Sequence, residues 1–172
     1  MLRGETVYLS GLLPEDSDEM FRWINDAETV RYNAPYSPVT RHAHDRWFAS
    51  LGDNPNKVIL AIRPMDSDKI AGVIQLIDID RVHRSAELTI RIGSDSLRGK
   101  GMGTQALNLA IDFAWRDLNL QRVWLRVFDT NKRAIRAYEK AGFEHEGVMR
   151  RACWIDGAWR DEAVMSILRD LP

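Results

Sequence analysis

Cys153 is the single cysteine in 172 residues, so no disulfide can close within the chain, and the composition fits a reducing, cytoplasmic setting. No apolar stretch approaches the ~18 residues that a membrane span requires. The opening Met1-Leu2-Arg3-Gly4-Glu5-Thr6 has no apolar run behind its positive charge, so a secretory leader is not expected. A surplus of either charge is missing too: 24 Lys and Arg stand against 25 Asp and Glu, with a pI near 6.4. Neither nucleic acid nor an anionic membrane is therefore an expected partner. Repeats and low-complexity tracts are absent. What is present is ordinary globular usage, 45% hydrophobic and 28% charged, in a length that suits one domain over residues 1–172.

Hydrophobic spacing orders that domain. Residues 7–9 read as a short strand, and Pro14 opens a helix to about Asp26, with Met20, Phe21 and Ile24 on one face. Glu15, Asp16, Asp18 and Glu19 load its first turns, where acids suit the positive end of the helix dipole. A second helix starts near Thr40. Residues 58–62, 70–79 and 86–92 read as three successive antiparallel strands. Beyond them come a long helix from Gly101 or Gly103, a strand over 122–128, a helix ending at Gly142, and two strands joined by Asp156-Gly157. The expected architecture is α+β, a mixed and mainly antiparallel central sheet flanked by helices.

The most informative segment is Arg98-Gly99-Lys100-Gly101-Met102-Gly103-Thr104, set between a strand and an amphipathic helix. Glycines at every second position let backbone amides approach a ligand closely. Amides at a helix N-terminus favour an anion, and Arg98 and Lys100 add charge there. The segment reads as a phosphate or pyrophosphate cradle. A nucleoside-triphosphate loop would need a lysine before Thr104, and a dinucleotide loop would need G-x-G-x-x-G rather than G-x-G-x-G.

The third pattern, R/Q-x-x-G-x-G/A, is matched by Arg98 to Gly103, and it resembles the pyrophosphate loop of the GNAT superfamily of N-acetyltransferases. Downstream, Asn131, Ala134, Tyr138 and Gly142-Phe143 stand as in the family's next helix. Leu13-Pro14-Glu15-Asp16 and Trp23-Ile24-Asn25-Asp26 resemble the subgroup that includes ribosomal-protein N-terminal acetyltransferases. Residues 72–87, with Val82-His83-Arg84-Ser85-Ala86-Glu87, are similar to spermidine N-acetyltransferases. The resemblance is specific over about residues 70–165 and looser before them.

That resemblance implies transfer of an acetyl group from acetyl-coenzyme A to a primary amine by direct attack on the thioester. A polyamine is the first expectation for the acceptor; a peptide N-terminus, an amino sugar or an aminoglycoside follows. A non-catalytic acyl-coenzyme A sensor is the rival reading, and a homodimer is compatible with the resemblance. The implied cofactor-binding residues are Leu88, Thr89, Ile90, Arg98, Gly99, Lys100, Gly101, Met102, Gly103, Thr104, Asn131, Ala134 and Tyr138. Tyr138 falls at the family's general acid, which protonates the departing thiolate; a phenol with a pKa of ~10 suits that role. Its place beside Ala134, Ile135 and Ala141 equally suits a core tyrosine. Glu87 is the candidate base, the alternative being a surface carboxylate paired with Arg84 or Arg91.

Other residues offer less. His42 and His44 lie two apart on a helix and face different ways, His83 and His145 lack ligand spacing, and no metal site is expected. Cys153 beside Trp154 reads as a packed small residue rather than a nucleophile. The six tryptophans suit packing better than base stacking.

Overall fold

The computed structural model describes residues 1–30, 37–93 and 101–170. Eight strands form one sheet: β1 (Leu2–Arg3), β2 (Val7–Ser10), β3 (Val58–Pro64), β4 (Gly72–Asp80), β5 (Ser85–Ile92), β6 (Arg122–Phe128), β7 (Glu144–Ile155) and β8 (Ala158–Leu168). Their order is β1-β2-β3-β4-β5-β6-β8-β7, antiparallel at every pairing except β5 with β6. The expected meander is β3, β4 and β5, and the Asp156-Gly157 turn does join β7 to β8. Both turn residues have positive φ, 51° and 71°, as a tight two-residue hairpin demands.

Alternation along the strands divides the apolar residues between two faces. One face meets α4 (Met102–Arg116) and α5 (Lys132–Lys140): Ile62, Ile74, Leu76, Leu88, Leu125, Val127 and Met165 pack with Leu107, Ala110, Ile111, Ala114, Ile135 and Tyr138. The other face carries a smaller cluster in which Ala61 and Val73 meet Met20 and Trp23 of α1 (Asp16–Asn25), with Phe48 of α3 (Arg41–Ala49) beside them. A four-residue helix, α2 (Ala27–Val30), follows α1 directly.

The acids at the start of α1 divide by role. Asp16 is buried, and its Oδ2 accepts hydrogen bonds from the Arg63 guanidinium at 2.6 Å and from the Leu13 amide at 2.8 Å. Asp18 stays at the surface, paired with Arg41. The acidic first turn is thus partly a buried tie from α1 to β3, beyond the dipole effect that the sequence suggests. At the opposite face, Gln105 of α4 accepts from the Thr6 and Val7 amides at 2.7 and 2.9 Å, fixing the helix to the start of β2.

Candidate active site

Ser85, Ala86 and Glu87 of β5 pair with Arg122, Val123 and Trp124 of β6, and there the parallel ladder ends. Beyond that point β5 continues along β4 as far as Ile92, while β6 continues along β8 as far as Phe128. Held by different neighbours, the two strands part, and a cleft of about 540 Å³ opens between them. The free edge of β5 forms one wall.

The start of α4 closes one end of this cleft. Gly101 caps the helix at φ 75°, a left-handed conformation that glycine adopts without strain, and no side chain caps the helix there. The first amides of a helix lack intrahelical acceptors. A Cβ built on Gly101 or Gly103 would meet no atom of the described residues within 4 Å, so among them the space over these amides is open. Gly101, Gly103 and Thr104 line the cleft, as do Leu88, Thr89, Ile90, Asn131, Ala134, Tyr138 and Glu87. Ten of the positions singled out in the sequence therefore converge on one cavity.

Two kinds of exception stand out. Met102 turns its side chain into the core, 6% exposed, and leaves its backbone amide as the group it presents at the helix start. Arg98, Gly99 and Lys100 lie outside the described residues. Asn131 has a structural duty as well, its side chain accepting from the Ala134 amide at 3.2 Å as the N-cap of α5.

Tyr138 is buried against the edge of Phe143, ring centroids 5.9 Å apart. Burial pushes its phenol up to about 12. Its hydroxyl has no hydrogen-bond partner among the described residues although the residue lines the cleft. Glu87 departs from the surface alternative: it is 5% exposed and accepts from Arg126 Nε at 3.0 Å, while Arg84 turns away to Asn119. The hydrogen bond to Glu87 holds the Arg126 guanidinium above its ordinary pKa.

Arg126 and Glu162 are the site residues that sequence reasoning passed over. Glu162 of β8 sits opposite Phe128 of β6, is 8% exposed and lines the cleft. Cys153 is half-buried, and its thiol donates to Glu162 Oε1 at 3.4 Å; burial first, and then this bond, raise the thiol pKa, so it remains protonated. The available signal was alternation: Trp124, Arg126 and Phe128 oppose the inward Leu125 and Val127, which puts them on the face of Glu87.

A second cavity, about 500 Å³, lies on the α1 and α3 side and shares Thr89, Ile90 and Arg91 with the first. Its walls include Trp23, Trp47, Lys57 and Arg91 and, among the described residues, no carboxylate. The His44 ring beside it stacks near Phe21 and Trp47, and its Nε2 lies 3.0 Å from the Ser17 carbonyl. Among the described residues no three His, Cys, Asp or Glu are grouped to hold a metal ion, and no helix is long and apolar enough to cross a membrane.

The sheet thus splits at its one parallel pair, with free helix amides at one end of the cleft and ionisable side chains along it. Residues 6–144 match the acetyltransferase (GNAT) domain family; the chain belongs to that family and is an N-acetyltransferase. Spermidine N(1)-acetyltransferase of Escherichia coli strain K12 is 32% identical to it over 171 residues, covering 98% of this chain and 89% of that one. The structure of spermidine N-acetyltransferase from Vibrio cholerae in complex with CoA and spermine superposes with a TM-score of 0.85 at 27% identity, covering 95% of each chain.

Proposed function

We propose that the chain, acting as one domain in the cytoplasm, transfers an acetyl group from acetyl-coenzyme A to a primary amine of a polyamine. The parting of β5 from β6 carries this reading, because it opens a strand edge, bare amides and a phenol onto one cleft. The residues fit the co-substrate. The open space over Gly101 and Gly103 leaves room for a pyrophosphate at the start of α4. Leu88 to Ile90 offer an extended backbone edge for the amide-bearing pantetheine arm. Acetyl-coenzyme A supplies the activated thioester; the chain supplies placement and proton movement.

An alkyl ammonium has a pKa of ~10.4 and must lose a proton before it can attack. Glu87, oriented by Arg126, takes that proton, directly or through water. Tyr138 donates to the thiolate as it leaves. The E. coli and V. cholerae relatives bear spermidine in their names; Glu87 and Glu162 are the carboxylates that a cationic amine meets in this cleft, while Arg91, Arg133, Arg136 and Lys140 on its lining suit the anionic co-substrate.

A second reading, with a peptide N-terminus as acceptor, is favoured by the second cavity, whose tryptophans and cations suit an uncharged or anionic body better than a polycation. Thiol release from acetyl-coenzyme A separates the two. Spermidine-dependent release is the expected result; release with a short free-amino peptide and none with spermidine selects the second reading. No release with either, nor with an amino sugar or an aminoglycoside, overturns the catalytic assignment.

A further inference from the structure

We infer that Glu162 is a substrate-contacting residue: its carboxylate receives the acceptor's ammonium group and sets the affinity for the amine. The inference rests on the N-acetyltransferase reading but not on which amine is acetylated.

The argument begins with an unsatisfied atom. Glu162 Oε1 is engaged by the Cys153 thiol at 3.4 Å, but Oε2 is buried and has no hydrogen-bond partner among the described residues. A buried carboxylate oxygen without a donor is costly, and folded chains rarely retain one without a use. The nearest cation, Arg126 Nη1, stands 3.8 Å away, beyond hydrogen-bonding distance, because the same guanidinium is committed through Nε to Glu87 at 3.0 Å. One cation thus serves two carboxylates and satisfies only the first. Among these three side chains, Oε2 of Glu162 is the atom left without a donor.

Placement supplies the rest. Glu162 lines the cleft beside Arg126, Phe128 and Glu87, on the sheet face that also carries Thr89. The last torsion of a glutamate is soft, and Arg126 is 42% exposed, so a small rotation of either turns Oε2 toward an entering ammonium. That ammonium supplies the missing donor. Glu87 lies across Arg126 from it, positioned to take the proton once the amine is seated.

The test is steady-state thiol release by wild type and Glu162→Gln, with whichever of spermidine and a short free-amino peptide the wild type acetylates. Glutamine keeps the shape and the Cys153 contact but removes the charge. The expected result is a rise of about 10- to 100-fold in KM for the amine, with kcat little changed and acetyl-coenzyme A binding by calorimetry unaltered. Raising salt should weaken amine binding to wild type more than to the variant. Glu162→Asp retains the charge at shorter reach and should fall between, which keeps the test open if the glutamine variant folds poorly. Unchanged KM in a folded variant, or a lowered melting temperature as the sole effect, overturns the inference while leaving the transferase intact. A wild type that releases thiol with neither of these amines, nor with an amino sugar or an aminoglycoside, overturns both.

Discussion

Tyr138 shows how one side chain can belong to the core and line the cleft together. Its ring fills the space beside Phe143, while its hydroxyl has no acceptor among the described residues. Tyr138→Phe therefore removes an oxygen without opening a cavity. Turnover should fall by ~10²–10⁴-fold with acetyl-coenzyme A affinity unchanged. Because burial lifts the phenol to about 12, it stays protonated through neutral and mildly alkaline pH. The deficit should then be uniform between about pH 7 and pH 10, which a pH series on both proteins would measure. Wild-type turnover in the variant would sink the general-acid assignment. Tyr138 was visible in sequence through the resemblance of Asn131, Ala134, Tyr138 and Gly142-Phe143 to the family's helix. Glu162 was not, since its meaning depends on the β6–β8 register, which places it against Phe128 across a long stretch of chain.

The strands at the far edge are clamped by an ion pair that spans three of them. Arg122 of β6 donates twice to Glu146 of β7, at 2.5 Å each, and Ser166 of β8 donates to the same carboxylate at 2.7 Å. These bonds, with Arg122 first and Ser166 next, pull Glu146 down to about 2 from an ordinary 4.5. A depressed folded pKa means that the stabilisation is complete above the ordinary value and is lost as pH falls toward the folded one. Melting temperature should therefore drop between about pH 4.5 and pH 2 more steeply in wild type than in Glu146→Gln. The carboxylate is 39% exposed, so screening keeps the effect modest. Parallel melting curves would show that the clamp contributes nothing. Elements of this length were legible: β6 and β8 fall where the apolar pattern and the Asp-Gly turn put them. The two-residue β1 and four-residue α2 were not, because neither spans enough residues to show a period. The strand expected from residue 70 starts instead at Gly72, since Ile70 and Ala71 approach the sheet as a buried lead-in.

Across the molecule, the two helical layers are unequal: α4 and α5 cover the larger core, and α1 and α3 the smaller. This division was only half visible in sequence. Helix periodicity marked which side of each helix is apolar, but which sheet face it covers depends on contacts between distant segments. The parting of β5 from β6 connects the layers, because Thr89, Ile90 and Arg91 border a cavity on each side. Cavities on both sides of one strand offer each substrate its own approach, so neither is obliged to leave before the other arrives. Both can be resident at once, so no acyl group needs to be parked on the protein between them. Initial rates measured against one substrate at several fixed levels of the other should give double-reciprocal lines that intersect; a parallel set would mean that the two entrances are used in alternation.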